Sequence, residues 1–243
     1  MNIRVYDTPD QVGQAAALLI AAQLIRKPDS VLGLATGSSP IPMYQHLIRL
    51  YRAGAVSFAQ ATSFNLDEYV GIAEDHPCSY HRFMREQLFD HVDMRPEAAH
   101  VPDGEAENPA AFAAAYDWAI QRAGGIDVQV LGIGHNGHIG FNEPADRFIR
   151  AARVVDLTDS TIDANQRFFD SRDQVPRQAI SLGMSAILNA RSVLLIATGE
   201  DKAGIIREAV QGEITPRVPA SILQAHPNVI WLLDKAAAAD LKM

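Results

Sequence analysis

Apolar positions along the chain fall into two alternating rhythms. Short runs rich in β-branched and aliphatic residues, "NIRVY" (2–6), "VLGLAT" (31–36), "TSFNL" (62–66), "VQVLGIG" (128–134), "RSVLLIATG" (191–199) and "NVIWLL" (228–233), are separated by longer segments of helical spacing. Strand and helix in repeated alternation predict an α/β fold built on a mostly parallel sheet. Positions 128–133 and 193–197 are apolar almost throughout, as strands buried on both faces require.

Helix starts are marked by cap chemistry. Thr8-Pro9-Asp10-Gln11 reads as an N-cap, a proline at the first helical position and a capping-box partner, and Ser39-Pro40 and Asn108-Pro109 repeat the cap-then-proline signal. Gly54 and Gly124 stand where two of these helices should stop. No internal repeat, low-complexity run or polar linker divides the sequence, so residues 1–243 are expected to form one domain. The less regular stretch 142–190 is the expected place for a mobile lid.

Composition narrows the function classes. Hydrophobic residues make up 48% of the chain, enough for one extended core. A net charge of -8 without any run of Lys or Arg argues against nucleic acid, whose phosphate backbone needs a basic footprint. It leaves room for an anionic small molecule held by a few local cations. Cys78 is the sole cysteine, which rules out an intrachain disulfide, and no apolar run approaches the roughly 18 residues of a membrane span. With no leader pattern in "MNIRVYDTPDQ", a cytoplasmic protein is the expectation, with neither nucleic acid nor membrane as partner.

In a doubly wound sheet, ligands bind beyond the carboxyl ends of the strands. Four predicted strands are followed there by "TGSSP", "DEY", "HNGHIGFNEP" and "TGEDK", all on one rim if the sheet is parallel. "ATGSSP" offers backbone amides, hydroxyls and a helix start, which together suit a phosphate. An ordinary turn with a serine cap is the plain alternative, but Thr36, Ser38 and Ser39 exceed what one cap needs. Asp67 and Glu68 leave a buried strand at the same rim. One could merely cap the next segment or pair with a cation; a carboxylate there could also serve as the base that moves a carbon-bound proton beside a carbonyl.

"LGIGHNGHIGFNEP" (131–144) satisfies the G-x-G-x-x-G spacing, yet it lies in mid-chain and fills the turn with bulky polar groups, so a dinucleotide reading is weak. A metal set of His135, His138 and Glu143 is equally weak, since the spacing matches no ligand helix. Acid-base chemistry remains, with His138, between Asn136 and Glu143, as the working imidazole and His135 as a surface residue. Lys202 in "TGEDK" and Arg167 in "ANQRFFD" are ordinary solvated cations by spacing alone. They gain meaning jointly with the Gly37-Ser38-Ser39 turn, where Lys supplies a point charge and Arg a bidentate fork.

Taken in order, "GLATGSSP", "FNLDEYVG", "HPCSYHRFM", "LGIGHNGHIGFNEP", "ANQRFFD", "VPRQAISLGM", "TGEDKA" and "VPASILQAHPN" resemble the glucosamine-6-phosphate deaminase family nearly end to end. The resemblance implies a modified Rossmann-like, three-layer α/β/α fold, no cofactor, no metal, and a small-molecule sugar phosphate as partner, in a monomer or small homo-oligomer. It makes Asp67 the base of an enolisation between C2 and C1, and His138 the proton acceptor that opens the pyranose ring, supported by Glu143 and Asn136. The phosphate would sit on Thr36, Gly37, Ser38 and Ser39 with Arg167 and Lys202. The implied reaction gives fructose 6-phosphate and ammonia in amino sugar catabolism.

Two departures from the family pattern carry expectations. Asn136 stands where enterobacterial members have an aspartate; an amide can orient His138 without adding negative charge. Arg153 fits one basic position of the allosteric members, but Val155 replaces a lysine and their C-terminal extension is missing, so hyperbolic kinetics are expected. Three rival readings share much of this pattern. A galactosamine-6-phosphate isomerase would use the same acid-base set. A 6-phosphogluconolactonase-like hydrolase needs no shuttle at C2, and a sugar-phosphate sensor would carry a DNA-binding segment and could dispense with the Asp67 and His138 pair.

Overall fold

The computed structural model describes residues 2–242. Strands and helices alternate from the start: β1 (Asn2–Tyr6), α1 (Pro9–Arg26), β2 (Val31–Leu34), α2 (Ile41–Arg52), β3 (Thr62–Asn65), β4 (Asp67–Tyr69) and α3 (Tyr80–Gln87). Next come β5 (Ala99–His100), α4 (Pro109–Arg122), β6 (Val128–Leu131), β7 (Arg153–Asp156), α5 (Asp159–Asn165) and β8 (Gln178–Ser181). They are followed by α6 (Met184–Leu188), β9 (Ser192–Ala197), α7 (Ala203–Gln211) and β10 (Val229–Asp234).

Seven strands form one wholly parallel sheet in the order β1-β10-β9-β6-β2-β3-β5. With this strand order, the right-handed rule for parallel crossovers puts α1 and α2 on one face and α4 and α7 on the other, the three-layer arrangement expected. Every residue of β2 and β6 is buried, with Leu32, Val130 and Leu131 at the centre of the core. From β2 the chain steps outward to β3 and β5, then returns to β6 on the opposite side of β2. That reversal leaves a crevice above the ends of β2 and β6, where ligands bind in open α/β sheets.

Most helix signals act as expected. The Thr8 side chain accepts from the Gln11 amide at 3.3 Å and Asn108 accepts from the Ala111 amide at 3.0 Å. Gly54 and Gly124 follow α2 and α4 with φ of +72° and +89°, the left-handed turn that ends a helix. Ser39 differs. Pro40 occupies the N-cap of α2 in a helical conformation and no side chain caps it, so the Ser39 hydroxyl is left at the crevice.

The region 142–190 is more regular than its sequence pattern predicts. β4, β8 and β7 form a second, antiparallel sheet in which Asp67 and Arg153 both pair with Ser181. With α5 it encloses a satellite apolar cluster that includes Tyr69, Phe141, Val155 and Ile162. Strands of three or four residues, with patterns as mixed as "RVVD" and "QAIS", give no clear alternation to read. No helix among the described residues is long and apolar enough to cross a membrane.

Candidate active site

A cavity of about 480 Å³ opens at the rim where β2, β3, β6 and β9 end, within the usual range for a small-molecule site. All four polar strand ends contribute to it: Thr36 to Ser39, Asp67, Asn136 with His138, and Lys202. Arg167 reaches it from the short turn after α5. Glu143 lies off the cavity surface, 3.5 Å from His138.

One end is cationic. Lys202 lies in a single helical turn before α7, its Nζ 3.8 Å from Asp201 Oδ2. Burial, and then the like charge of Arg167, hold its ammonium below the ordinary lysine range against the pull of Asp201. Two cations that repel each other beside the Thr36 to Ser39 turn are relieved by an anion between them. His135 also lines this end, largely exposed, with Nδ1 3.5 Å from Asp201 Oδ2. It is a surface residue as expected, but one on the cavity rim.

Asp67 and Glu68 divide the roles their sequence left open. Glu68 turns away from the cavity and accepts the amides of Tyr69, Tyr80 and His81 at 2.9, 2.7 and 3.1 Å, tying β4 to the start of α3. Burial raises its carboxyl to about 8 against those amide bonds. Asp67 lines the cavity, is 6% exposed, and is raised by burial to about 7. A carboxylate that titrates near neutrality is matched to taking and returning a proton. Tyr80 and Phe141, stacked 6.3 Å apart, line the cavity near it.

The third group is built on the turn after β6. His138 folds back over Gly134: a Cβ on that glycine would lie 2.2–2.4 Å from the imidazole atoms. The glycine of the G-x-G-x-x-G spacing thus makes room for a histidine ring rather than for a pyrophosphate. Asn136 acts differently from expectation. Its Oδ1 accepts the His138 backbone amide at 3.2 Å and its Nδ2 donates to Glu143 Oε2 at 2.7 Å, so it orients the turn and the carboxylate and leaves the imidazole alone. Glu143 Oε1 accepts from the Thr161 hydroxyl and stands 3.5 Å from His138 Nδ1, within ion-pair reach but short of a formed hydrogen bond. Burial pushes the Glu143 carboxyl up, but His138, Thr161 and Asn136 together outweigh it and leave the group below its ordinary range.

Thr161 was invisible in the sequence. Thr158 caps α5, and nothing in the spacing links Thr161 to Glu143. Among the described residues no group of three or more His, Cys, Asp or Glu is gathered as a metal site needs.

Residues 7–231 match the family model of glucosamine-6-phosphate isomerases/6-phosphogluconolactonase. The chain belongs to this family. A glucosamine-6-phosphate deaminase of Halothermothrix orenii is 51% identical over 98% of this chain and 99% of its own length. One from Clostridioides difficile is 48% identical over 99% and 97%. The solved structure of a monomeric glucosamine-6-phosphate deaminase superposes with a TM-score of 0.97 at 40% identity, covering 99% of this chain and all of the other. The family's name spans two chemistries, isomerisation and lactone hydrolysis, and the residues of the site distinguish them.

Proposed function

We propose that the protein is a glucosamine-6-phosphate deaminase that converts glucosamine 6-phosphate to fructose 6-phosphate and ammonia. The observation that carries this is the pairing of a buried carboxylate raised to about 7, Asp67, with an imidazole-carboxylate pair, His138 and Glu143, around one cavity. Lactone hydrolysis needs water activated once; it has no use for a second base placed to exchange a carbon-bound proton. Relatives named for the deaminase at about half identity over nearly their whole length support the same reading.

The phosphate binds the Thr36 to Ser39 turn with Lys202 and Arg167, which sets the sugar's C1 and C2 at the other end of the cavity. His138 takes the proton of the C1 hydroxyl while the C1–O5 bond breaks and O5 gains a proton. Glu143 stabilises the imidazolium formed in that step. Asp67 takes the C2 proton, the freed electron pair forms the C1–C2 double bond, and the C1 oxygen is protonated. Return of the proton to C1 converts the C2 amine to an imine, water adds at C2, and ammonia leaves. The lid in this reading lies within 142–190, where α5 and the turn after it carry Thr161 and Arg167, in a single domain that a monomeric relative suggests works alone.

An ammonia-release assay with glucosamine 6-phosphate and galactosamine 6-phosphate side by side, and 6-phosphogluconolactone hydrolysis followed in parallel, tests it. Release from the glucosamine compound is the expected result. Release from the galactosamine epimer alone, or lactone hydrolysis without ammonia, would overturn the assignment.

A further inference from the structure

The Glu143 carboxylate is held from two sides. Asn136, on the turn after β6, donates to Oε2 at 2.7 Å. The Thr161 hydroxyl, on α5, donates to Oε1, the oxygen that also faces His138 Nδ1 at 3.5 Å. Thr161 is 4% exposed, and Thr158 Oγ1 donates to its oxygen at 3.1 Å. That bond leaves the single Thr161 proton directed at Glu143. Both donors are neutral, and the titratable group facing the carboxylate is His138.

We propose that Thr161 is a positioning residue for the Glu143 and His138 pair, fixing the carboxylate from the lid side and keeping it ionised beside the imidazole. Two neutral donors favour the charged form of Glu143 without competing for its charge, whereas a cation in either place would draw it away from His138. The Thr161 hydroxyl also occupies Oε1, the oxygen 3.5 Å from His138 Nδ1, and so fixes the position from which the carboxylate meets the imidazole. The same segment carries Arg167 at the cationic end of the cavity, so the stretch from 158 to 167 meets both ends of a bound sugar phosphate. The kinetic part of this inference rests on the deaminase reading; the electrostatic part does not.

Thr161→Val keeps the shape and removes the donor, Thr161→Ala removes both, and Thr161→Ser keeps the donor. The Glu143 carboxyl is titrated by carbon NMR in the full chain without substrate, its signal identified by loss in Glu143→Gln. Val and Ala are expected to raise its pKa by about one unit or more, the effect of losing a hydrogen bond to a charged group, while Ser titrates as the wild type. With glucosamine 6-phosphate, the acid limb of kcat moves up by the same amount in Val and Ala while KM holds. An unmoved Glu143 titration in Val and Ala, or a Ser variant that shifts as they do, overturns the proposal. Absence of ammonia release by the wild type would instead count against the deaminase reading, with the NMR titration still deciding the role of Thr161.

Discussion

Replacing Asp67 by Asn is expected to abolish turnover and, above neutral pH, to stabilise the protein. Asp67 is 6% exposed, and burial lifts its pKa from 3.8 to about 7. A carboxyl whose folded pKa exceeds its unfolded value leaves stability intact below the unfolded pKa and erodes it as pH rises through the folded one. The difference between about 7 and 3.8 is a shift of about 3 units, so the ionised group costs about 4 kcal/mol once pH exceeds 7. At pH 5 the same linkage leaves a cost of about 2 kcal/mol. Asn does not titrate, so its advantage over the wild type should grow by about 2 to 3 kcal/mol between pH 5 and pH 8. In a chain of this size that is a growth in the Tm difference on the order of 5–10 °C. Calorimetric scans of both proteins at intervals across that range read it, and wild-type kcat/KM should fall on the acid side of about pH 7. The Asn variant should also lose exchange of the C2 proton with solvent while still binding the sugar phosphate. A Tm difference that does not vary with pH, or a variant that retains turnover, would refute the placement of a desolvated base at the rim.

Gly134→Ala puts a Cβ 2.2–2.4 Å from the His138 ring, which must swing away; kcat is expected to fall on the order of 100-fold with phosphate binding intact, and wild-type kcat would refute it. Asn136→Asp replaces the amide that donates to Glu143 at 2.7 Å by a second carboxylate, so the two must share a proton. At an effective dielectric of about 20, charges about 4 Å apart repel by about 4 kcal/mol, an upper limit of about 3 pKa units, and the acid limb of kcat/KM should move upward. An unchanged pH-rate profile would show the position to be electrostatically silent. Val155 is buried in the satellite cluster and supplies no cation beside Arg153, which donates to Asn142. Rates should therefore follow glucosamine 6-phosphate hyperbolically without activation by N-acetylglucosamine 6-phosphate, and a sigmoidal curve abolished by that compound would contradict this.

Much of the molecule is legible where a local rule acts alone. The core strands announce themselves as apolar runs because parallel strands are buried on both faces, and Thr8 and Asn108 announce their helices by cap chemistry. Thr36 to Ser39, Asp67, His138 and Lys202 meet at one cavity because a parallel sheet sends all its strand ends the same way. What escapes the sequence depends on contacts between distant segments. β4, β8 and β7 are defined by pairing with each other more than by pattern. The choice between Asp67 and Glu68 is made by α3, whose first amides take Glu68. Asn136 is near His138 in the chain, but the tight turn from 134 to 138 sends its amide to Glu143, and Thr161 joins that carboxylate only because α5 folds over it.

One reaction at one cavity unites these residues. Incubating wild type and Asp67→Asn with glucosamine 6-phosphate, and measuring fructose 6-phosphate and ammonia together, tests it most directly. The wild type should form the two in equal amounts and the variant neither. Sugar phosphate left unconverted by the wild type, or equal product from the variant, would contradict it.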